Sequence, residues 1–258
     1  MTNNEPKRII QSVGRALQML EHIAANDNEM NLSAVSRGCG LCKSTTHSLI
    51  STLEQLGYVQ QNQNTGKYSL GLKLFELGQV VHSSMDLRTI AMPYLLGLSR
   101  RYEETVHLAI LSQGEVVYID KVDSSRSIRI ASQVGGRNPA YCTGVGKVLL
   151  SGLSEDEITK VIKGTNFRQL TEKTIADGQT LRYCIEKARH DGYATDNEEI
   201  EVGLSCIAAP VKNHDGAVIA AISISGPTSR IVNGNYAQLT ADVIETARLI
   251  SAQLGYKG

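Results

Sequence analysis

Apolar positions between residues 12 and 71 recur at helical spacing three times and then alternate. Residues 12–25 read as a first helix. Asn31, a side chain that caps helix N-termini, opens a second short helix through Leu32 and Val35, and Gly38-Cys39-Gly40 permits the reversal that ends it. From Lys43 a third helix carries Leu49, Ile50, Leu53 and Leu56 at spacings of one, three and four, a stripe expected to pack inward on the first helix. Gly57 stops it. Residues 58–61 and 67–70 flank a polar Asn62-Gln63-Asn64-Thr65-Gly66 loop and predict a β-hairpin. Short helices, a tight turn and a hairpin make a winged helix-turn-helix, the arrangement that lays one helix in a DNA major groove with the hairpin beside it.

The outward face of the third helix is predicted to hold Lys43, Ser44, Thr46, His47 and Ser51, small or polar hydrogen-bonding groups at the end that reaches base edges in this motif. With Thr45 beside them, Arg15 on the first helix and Lys67 at the hairpin, the candidate DNA contacts are Arg15, Lys43, Ser44, Thr45, Thr46, His47 and Lys67.

Farther on, Leu72, Leu74, Leu77, Val80 and Val81 form an apolar stripe on a helical connection, expected to be packed and to contribute to dimerisation. Ser83-Ser84 loosens the chain, Asp86 is expected to cap a helix over 87–102, and Pro93 to bend or divide that helix. These features set domains at 1–78 and 87–258, with a helical linker at 79–86. From Thr105 the period changes to two, predicting an antiparallel meander over 106–111, 116–122 and 127–134. Helices are expected over 146–153, over 154–162 behind a Ser154-x-x-Glu157 capping box, and over 178–191 with Gly192 as their stop. Strands 204–212 and 218–225 flank an Asn213-His214-Asp215-Gly216 turn, and an amphipathic helix over 236–254 closes the chain. The fold class is α+β, an antiparallel sheet with helices around it behind the winged domain.

In the strand ending at Ser225, period two puts Ile219, Ala221, Ser223 and Ser225 on one face. Two serines there can donate to one oxyanion. Thr143-Gly144-Val145-Gly146, before a predicted helix, adds backbone N–H donors at a positive helix terminus. Asp196 and Cys206 are expected at the other end of such a ligand, while Glu198, Glu199 and Glu201 read as a solvated acidic loop. The expected ligand is a small carboxylic acid.

Catalytic templates fail. Around Gly146-Lys147, Tyr141 occupies the first glycine position of a phosphate loop and Val148 the Ser/Thr position. Gly203-Leu204-Ser205-Cys206-Ile207 lacks the second glycine of a nucleophile elbow. Cys39-Gly40-Leu41-Cys42 is a lone Cys-x-x-Cys, read as turn packing with a thiol sensor left open, and the six histidines have no metal-ligand spacing. Neither a cofactor nor a metal is expected. The alternatives to a regulator are a small-molecule-binding enzyme that uses the winged module for assembly, and a protein interaction module.

The chain has 258 residues, 41% hydrophobic, with no apolar run long enough to span a bilayer, no visible signal peptide and five irregularly spaced cysteines. A cytoplasmic protein with reduced thiols is expected. Net charge is zero; residues 1–83 hold seven Lys or Arg against six Asp or Glu. DNA affinity must therefore rest on a few placed cations, taken as Lys7, Arg8, Arg15, Arg37, Lys43 and Lys67, doubled in a dimer.

The residues resemble the IclR family of bacterial transcriptional regulators, and in particular its sugar-acid-responsive branch. The motifs are Ser12-Val13-x-Arg15-Ala16-Leu17, Gly40-Leu41-x-Lys43-Ser44-Thr45, Leu56-Gly57-Tyr58-Val59 and Tyr68-x-Leu70-Gly71-x-Lys73-Leu74. In the second half they are Gly146-Lys147, Asp196-x-Glu198-Glu199, Gly203-Leu204-x-Cys206 through Val211, and Ser223-Ile224-Ser225-Gly226-Pro227. Ser48 stands where relatives often carry an arginine. The resemblance implies a GAF-like effector domain, a ligand narrowed to a sugar acid, effector contacts at Gly144, Val145, Asp196, Cys206, Ser223 and Ser225, double-stranded operator DNA as partner, assembly as a homodimer or dimer of dimers, no membrane association, and repression more often than activation.

Overall fold

A computed structural model describes residues 10–83, 86–127, 130, 132–232 and 234–258, leaving aside the side chains of residues 81–83 and 86. The expected roles of Lys7, Arg8, Val81, Ser84 and the Asp86 cap lie outside the described residues. Contacts divide the chain into two compact units, Met1–Met85 and Asp86–Gly258.

The first unit is built from α1 (Gln11–Ala24), α2 (Leu32–Gly38), α3 (Lys43–Gln55), the hairpin β1 (Val59–Gln61) and β2 (Tyr68–Leu70), and α4 (Leu72–Ser83). Asn31 caps α2, its side chain accepting from the Ala34 N–H. Gly57, at φ +79°, takes the left-handed turn that sends the chain from α3 into the hairpin, a conformation that costs glycine nothing. Met19, Leu20 and Ile23 of α1, Val35 of α2, Ile50 and Leu53 of α3, and Val59 and Tyr68 of the hairpin form one core. The inward stripe is shorter than periodicity predicts. Leu49 is half-buried and Leu56, the residue after the last helical turn, is exposed. Of the expected α4 stripe, Leu74 packs on this core while Leu72, Leu77 and Val80 are exposed, as is Phe75.

The second unit begins with α5 (Asp86–Tyr102), followed by β3 (Thr105–Ser112), β4 (Glu115–Val122), β5 (Arg137–Pro139) and a 3-10 turn at Ala140–Cys142. Then come α6 (Gly144–Ser151), α7 (Glu155–Gly164), α8 (Gly178–Asp191), β6 (Ala194–Asn197), β7 (Leu204–Lys212), β8 (Val218–Pro227), α9 (Thr228–Ile231) and α10 (Tyr236–Gln253). The six strands lie in the order β5-β4-β3-β8-β7-β6, each pair antiparallel. The helix α5 runs unbroken through Pro93. One backbone hydrogen bond is forgone there, while Ala91, Leu95 and Leu98 anchor the helix by burial. No strand forms over the described part of 127–134. The chain turns at Gly135, φ +84°, and pairs with β4 through the 135–139 segment, where Gly135 donates to the Tyr118 carbonyl.

Ser154 and Glu157 make the capping box of α7, and Gly192 ends α8 in the left-handed conformation. The cluster of Ala109, Val116, Val145, Val148, Leu149, Leu181, Ile185, Ala208 and Ala221 joins one face of the sheet to α6 and α8. The helices α5 and α10 pack on β3 and β7.

Candidate functional site: a polar cavity and an exposed helix face

Strand register determines what meets in the second unit. Asp196 pairs with Cys206, Cys206 with Ser225, and Ser225 with Thr105, one row across four strands. Two residues along, Ser223 pairs with His107. Side chains two apart on a strand share a face, so Asp196, Cys206, Ser225, Ser223 and His107 converge. They line a cavity of about 380 Å³ together with Val145, Tyr118, Asn138, Ser132 and residues of the adjoining loops.

Of the six expected effector positions, five line this cavity and Gly144 stands behind it. A Cβ on Gly144 would lie 2.8 Å from the Cys206 sulfur and 3.3 Å from the Ala194 carbonyl oxygen, so only glycine lets α6 come this close to β6 and β7. Thr143 caps α6 by accepting from the Gly146 N–H, and its own carbonyl takes the Lys147 N–H. The Val145 N–H, in the first turn, has no protein acceptor among the described residues.

His107, Tyr118, Asn138 and Ser132 are the polar members that strand-face reasoning on β8 alone missed. The alternation Thr105, His107, Ala109 in β3 carries the signal, since His107 faces the same way as its register partner Ser223. Its ring lies 2.7 Å from the Ser132 hydroxyl and 3.5 Å from that of Ser223. The Tyr118 ring packs against it at 4.8 Å, and Asn138 donates to the Tyr118 hydroxyl at 3.2 Å. Burial, and secondarily Lys121, pushes the His107 pKa down to about 4, so the imidazole is neutral at neutral pH. Ser223 is therefore tied to His107 rather than waiting as a free donor.

Asp196 is buried, and one of its carboxylate oxygens accepts from the Glu199 N–H at 2.7 Å. Burial raises its pKa to about 7, with the neighbouring Glu199 carboxylate adding to the rise. The solvated acidic loop is corrected at Glu199, which is buried and paired with the equally buried Lys147; the lysine also donates to the Thr195 carbonyl at 2.8 Å. Glu198 is half-buried and paired with the exposed Lys173 at 2.8 Å, while Glu201 is open to solvent. Burial likewise raises the thiols of Cys206 and Cys142 to about 12. Cys206 is a neutral wall residue, and Cys142 is a neutral member of the core cluster.

In the first unit, Lys43, Ser44 and His47 are exposed and Thr45 half-exposed on α3, as the outward face requires. Thr46 is corrected. It is fully buried and its hydroxyl donates to the Cys42 carbonyl at 3.0 Å, because its position falls on the side of α3 that meets the core. Ser48 is turned back on its own helix, donating to the Ser44 carbonyl at 3.1 Å. Lys67 is half-exposed and paired with Glu29 at 3.0 Å, so the hairpin's cation is partly neutralised, and Arg15 is half-buried on α1. The Cys-x-x-Cys divides, Cys39 being buried in the core and Cys42 exposed. The hydroxyls of Ser44 and Thr45 hold the Cys42 thiol down to about 7. Among the described residues no group of acidic, histidine or cysteine side chains could hold a metal ion, and no helix is long and apolar enough to cross a membrane.

Residues 12–63 match the IclR helix-turn-helix domain, and residues 79–252 match the C-terminal domain of bacterial transcriptional regulator IclR. The chain is 41% identical over 248 residues to the HTH-type transcriptional regulator XynR of Escherichia coli (strain K12), covering 96% of this chain and 98% of that protein. It is 39% identical over 258 residues to KdgR of the same strain, covering 99% and 98%. Among solved structures, Thermotoga maritima IclR superposes with a TM-score of 0.75 at 31% identity, covering 96% of this chain and 100% of that one. An IclR homolog from Microbacterium hydrocarbonoxydans, complexed with 4-hydroxybenzoate, superposes with a TM-score of 0.82 at 25% identity, covering 94% and 98%. With both domain models matched and relatives aligned end to end, this chain belongs to the IclR family: it is a DNA-binding, helix-turn-helix transcriptional regulator and not an enzyme.

Proposed function

We propose that the protein is a cytoplasmic repressor that binds a pseudo-palindromic operator as a homodimer or dimer of dimers and is controlled by a small hydroxylated carboxylic acid, a sugar acid among them. The observation that carries the effector reading is the cavity of about 380 Å³, where two strand serines, a neutral histidine, a tyrosine hydroxyl and a buried carboxyl meet a free helix-terminal N–H. Such a lining suits a ligand with one carboxylate and several hydroxyls. The carboxylate rests on the Val145 N–H and Ser225, and the hydroxyls reach Asp196 and His107. Repression is supported by relatives such as the transcriptional repressor IclR of Escherichia coli (strain K12), 34% identical to this chain. A carboxylate effector is supported by the 4-hydroxybenzoate in the Microbacterium homolog.

The DNA reading rests on Arg15, Lys43, Ser44, Thr45, His47 and Lys67. Helix α3 opens at Cys42 with no side-chain cap, so its first N–H groups and Lys43 together suit a phosphate. Ile10 at the start of α1, Val13 and Leu17 on it, and Leu72, Phe75 and Leu77 on α4 leave apolar surface in the first unit that a second copy would cover. The proposed domain limits are 1–78, a linker at 79–86, and 87–258.

The test is a calorimetric screen of small organic acids against the full chain, repeated on S223A/S225A, with operator release followed by fluorescence anisotropy. Acids that bind the native chain, fail on the double variant and release DNA support the assignment. Equal binding by both proteins places the effector elsewhere.

A further inference from the structure

The charges around the cavity do not balance if a carboxylate enters it. Asp196 already supplies one buried carboxyl group. From α6, Lys147 is held by Glu199 and the Thr195 carbonyl, so its charge is committed behind the cavity wall. At the rim, Arg137 is paired with Glu115 at 3.0 Å, and the rim carboxylate of Glu201 is solvated. The groups that face Asp196 from β4, β7 and the 3-10 turn are Tyr118, Cys206 and Cys142, each held neutral by burial. His107 on β3 is neutral as well. Among the described lining residues, then, no uncommitted cation is available to offset a second negative charge.

We infer that Asp196 meets a carboxylate effector as the neutral carboxylic acid, so that the cavity tolerates one negative charge and takes up a proton when it fills. This rests on the carboxylic-acid reading above and makes Asp196 the residue that fixes the charge of the ligand. Two like charges in one buried site cannot both ionise without a large penalty, so one group keeps its proton. The ligand acid is the stronger of the two, because burial holds the Asp196 carboxyl far above its ordinary range. The proton comes from the buffer, remains on Asp196, and is donated to a ligand oxygen. Below its titration Asp196 already carries that proton; above it, each binding event must recruit one. Dianionic acids of the same length are excluded on the same ground.

The experiment is titration calorimetry of the full chain with D-gluconate, 4-hydroxybenzoate and other small monocarboxylates, in pairs of buffers that differ in ionisation enthalpy. Between pH 7 and pH 8 affinity is expected to fall about five- to tenfold, with uptake rising toward one proton per site, and to be flat near pH 6. The dianion D-glucarate is expected to bind at least about tenfold more weakly than D-gluconate. D196N, whose amide cannot titrate, is expected to lose the pH slope; because it acts at the cavity wall, proton counting on the unaltered chain stands as the independent measurement. Monocarboxylate binding with no proton uptake and no pH slope overturns the inference while leaving the effector site intact. A slope that persists in D196N overturns it too. If no acid binds at any pH, the inference falls together with the reading on which it rests.

Discussion

The helices α3 and α6 both open on small or polar residues and both carry a lysine in the first turn, yet the fold uses them in opposite ways. Lys43 stands exposed at the first position of α3, at the positive end of a helix without a side-chain cap, a location that disfavours a cation unless an anion arrives. Lys147 sits in an α6 that is buried from Gly144 to Leu150, with its charge matched by Glu199. In the proposed function, one helix leaves its donors for DNA. The other uses nearly all of its donors within the protein, and the one N–H without an acceptor among the described residues is the one proposed for a small ligand. On that proposal, the same local chemistry would serve a large polyanion or a small acid according to what the tertiary structure packs around it.

Breaking the buried pair has the largest expected effect. K147A leaves Glu199 unpaired in the interior and is expected to cost about 3–5 kcal/mol of stability in denaturant unfolding. K43A, its counterpart on α3, is expected to leave the unfolding midpoint unchanged. In the first unit I50A is the matching core lesion, expected to cost about 2–5 kcal/mol by cavity formation and to abolish DNA binding through unfolding of the winged domain. A K147A protein as stable as the native chain would show that α6 is not held by its ion pair.

The pH dependence of stability sharpens the contrast, since Asp196 and His107, both buried, lie in the second unit. The Asp196 carboxyl keeps its proton to about pH 7 in the folded chain but loses it near 3.8 when unfolded, so its contribution to stability falls as pH rises through that window. D196N is expected to remove this fall, gaining on the native chain by up to about 1.4 kcal/mol per pH unit between those values. His107 acts in the opposite sense: with its folded pKa lowered from 6.5 to about 4, it destabilises the fold as pH drops through that interval. Chemical unfolding of D196N and H107A across the range separates the two, and superimposable profiles would remove the buried-charge account.

The smallest effect is the most informative about DNA. K43A is expected to weaken operator and non-operator duplexes alike and to reduce the slope of log K against log salt by about 0.9 for each phosphate that the lysine neutralises. A loss confined to the operator would instead make Lys43 a reader of bases.

Much of this was visible in the order of residues. The helical period of α1 to α3, the turn at Gly57 and the polar hairpin loop identify the winged domain because its contacts are short in sequence and each turn has its own residue type. The Ser223/Ser225 face was legible for the same reason, as a period of two needs only one strand. Asp196 and Cys206 were expected beside those serines from the family resemblance, not from periodicity, and His107 was missed, because such convergence depends on register between distant strands, His107 and Ser223 lying 116 residues apart in the chain. Thr46 shows the limit on a single helix. Its polarity suggested the DNA face, and only the packing of α3 on its core put it inside.

The sequence by itself determined most of the helices and the long strands to within a few residues, though not β5 and β6, the two outer strands of the sheet, and that the chain has a winged domain followed by an antiparallel α+β domain. These follow from periodicity, caps and left-handed turns, which act between neighbours. Only the tertiary structure decided which polar groups are open to solvent and which are sealed. It paired Lys67 with Glu29, buried Glu199 against Lys147, and raised Asp196 toward neutrality. Burial and charge pairing depend on what stands across the gap, and that is set by strand register and helix packing between segments far apart in the chain.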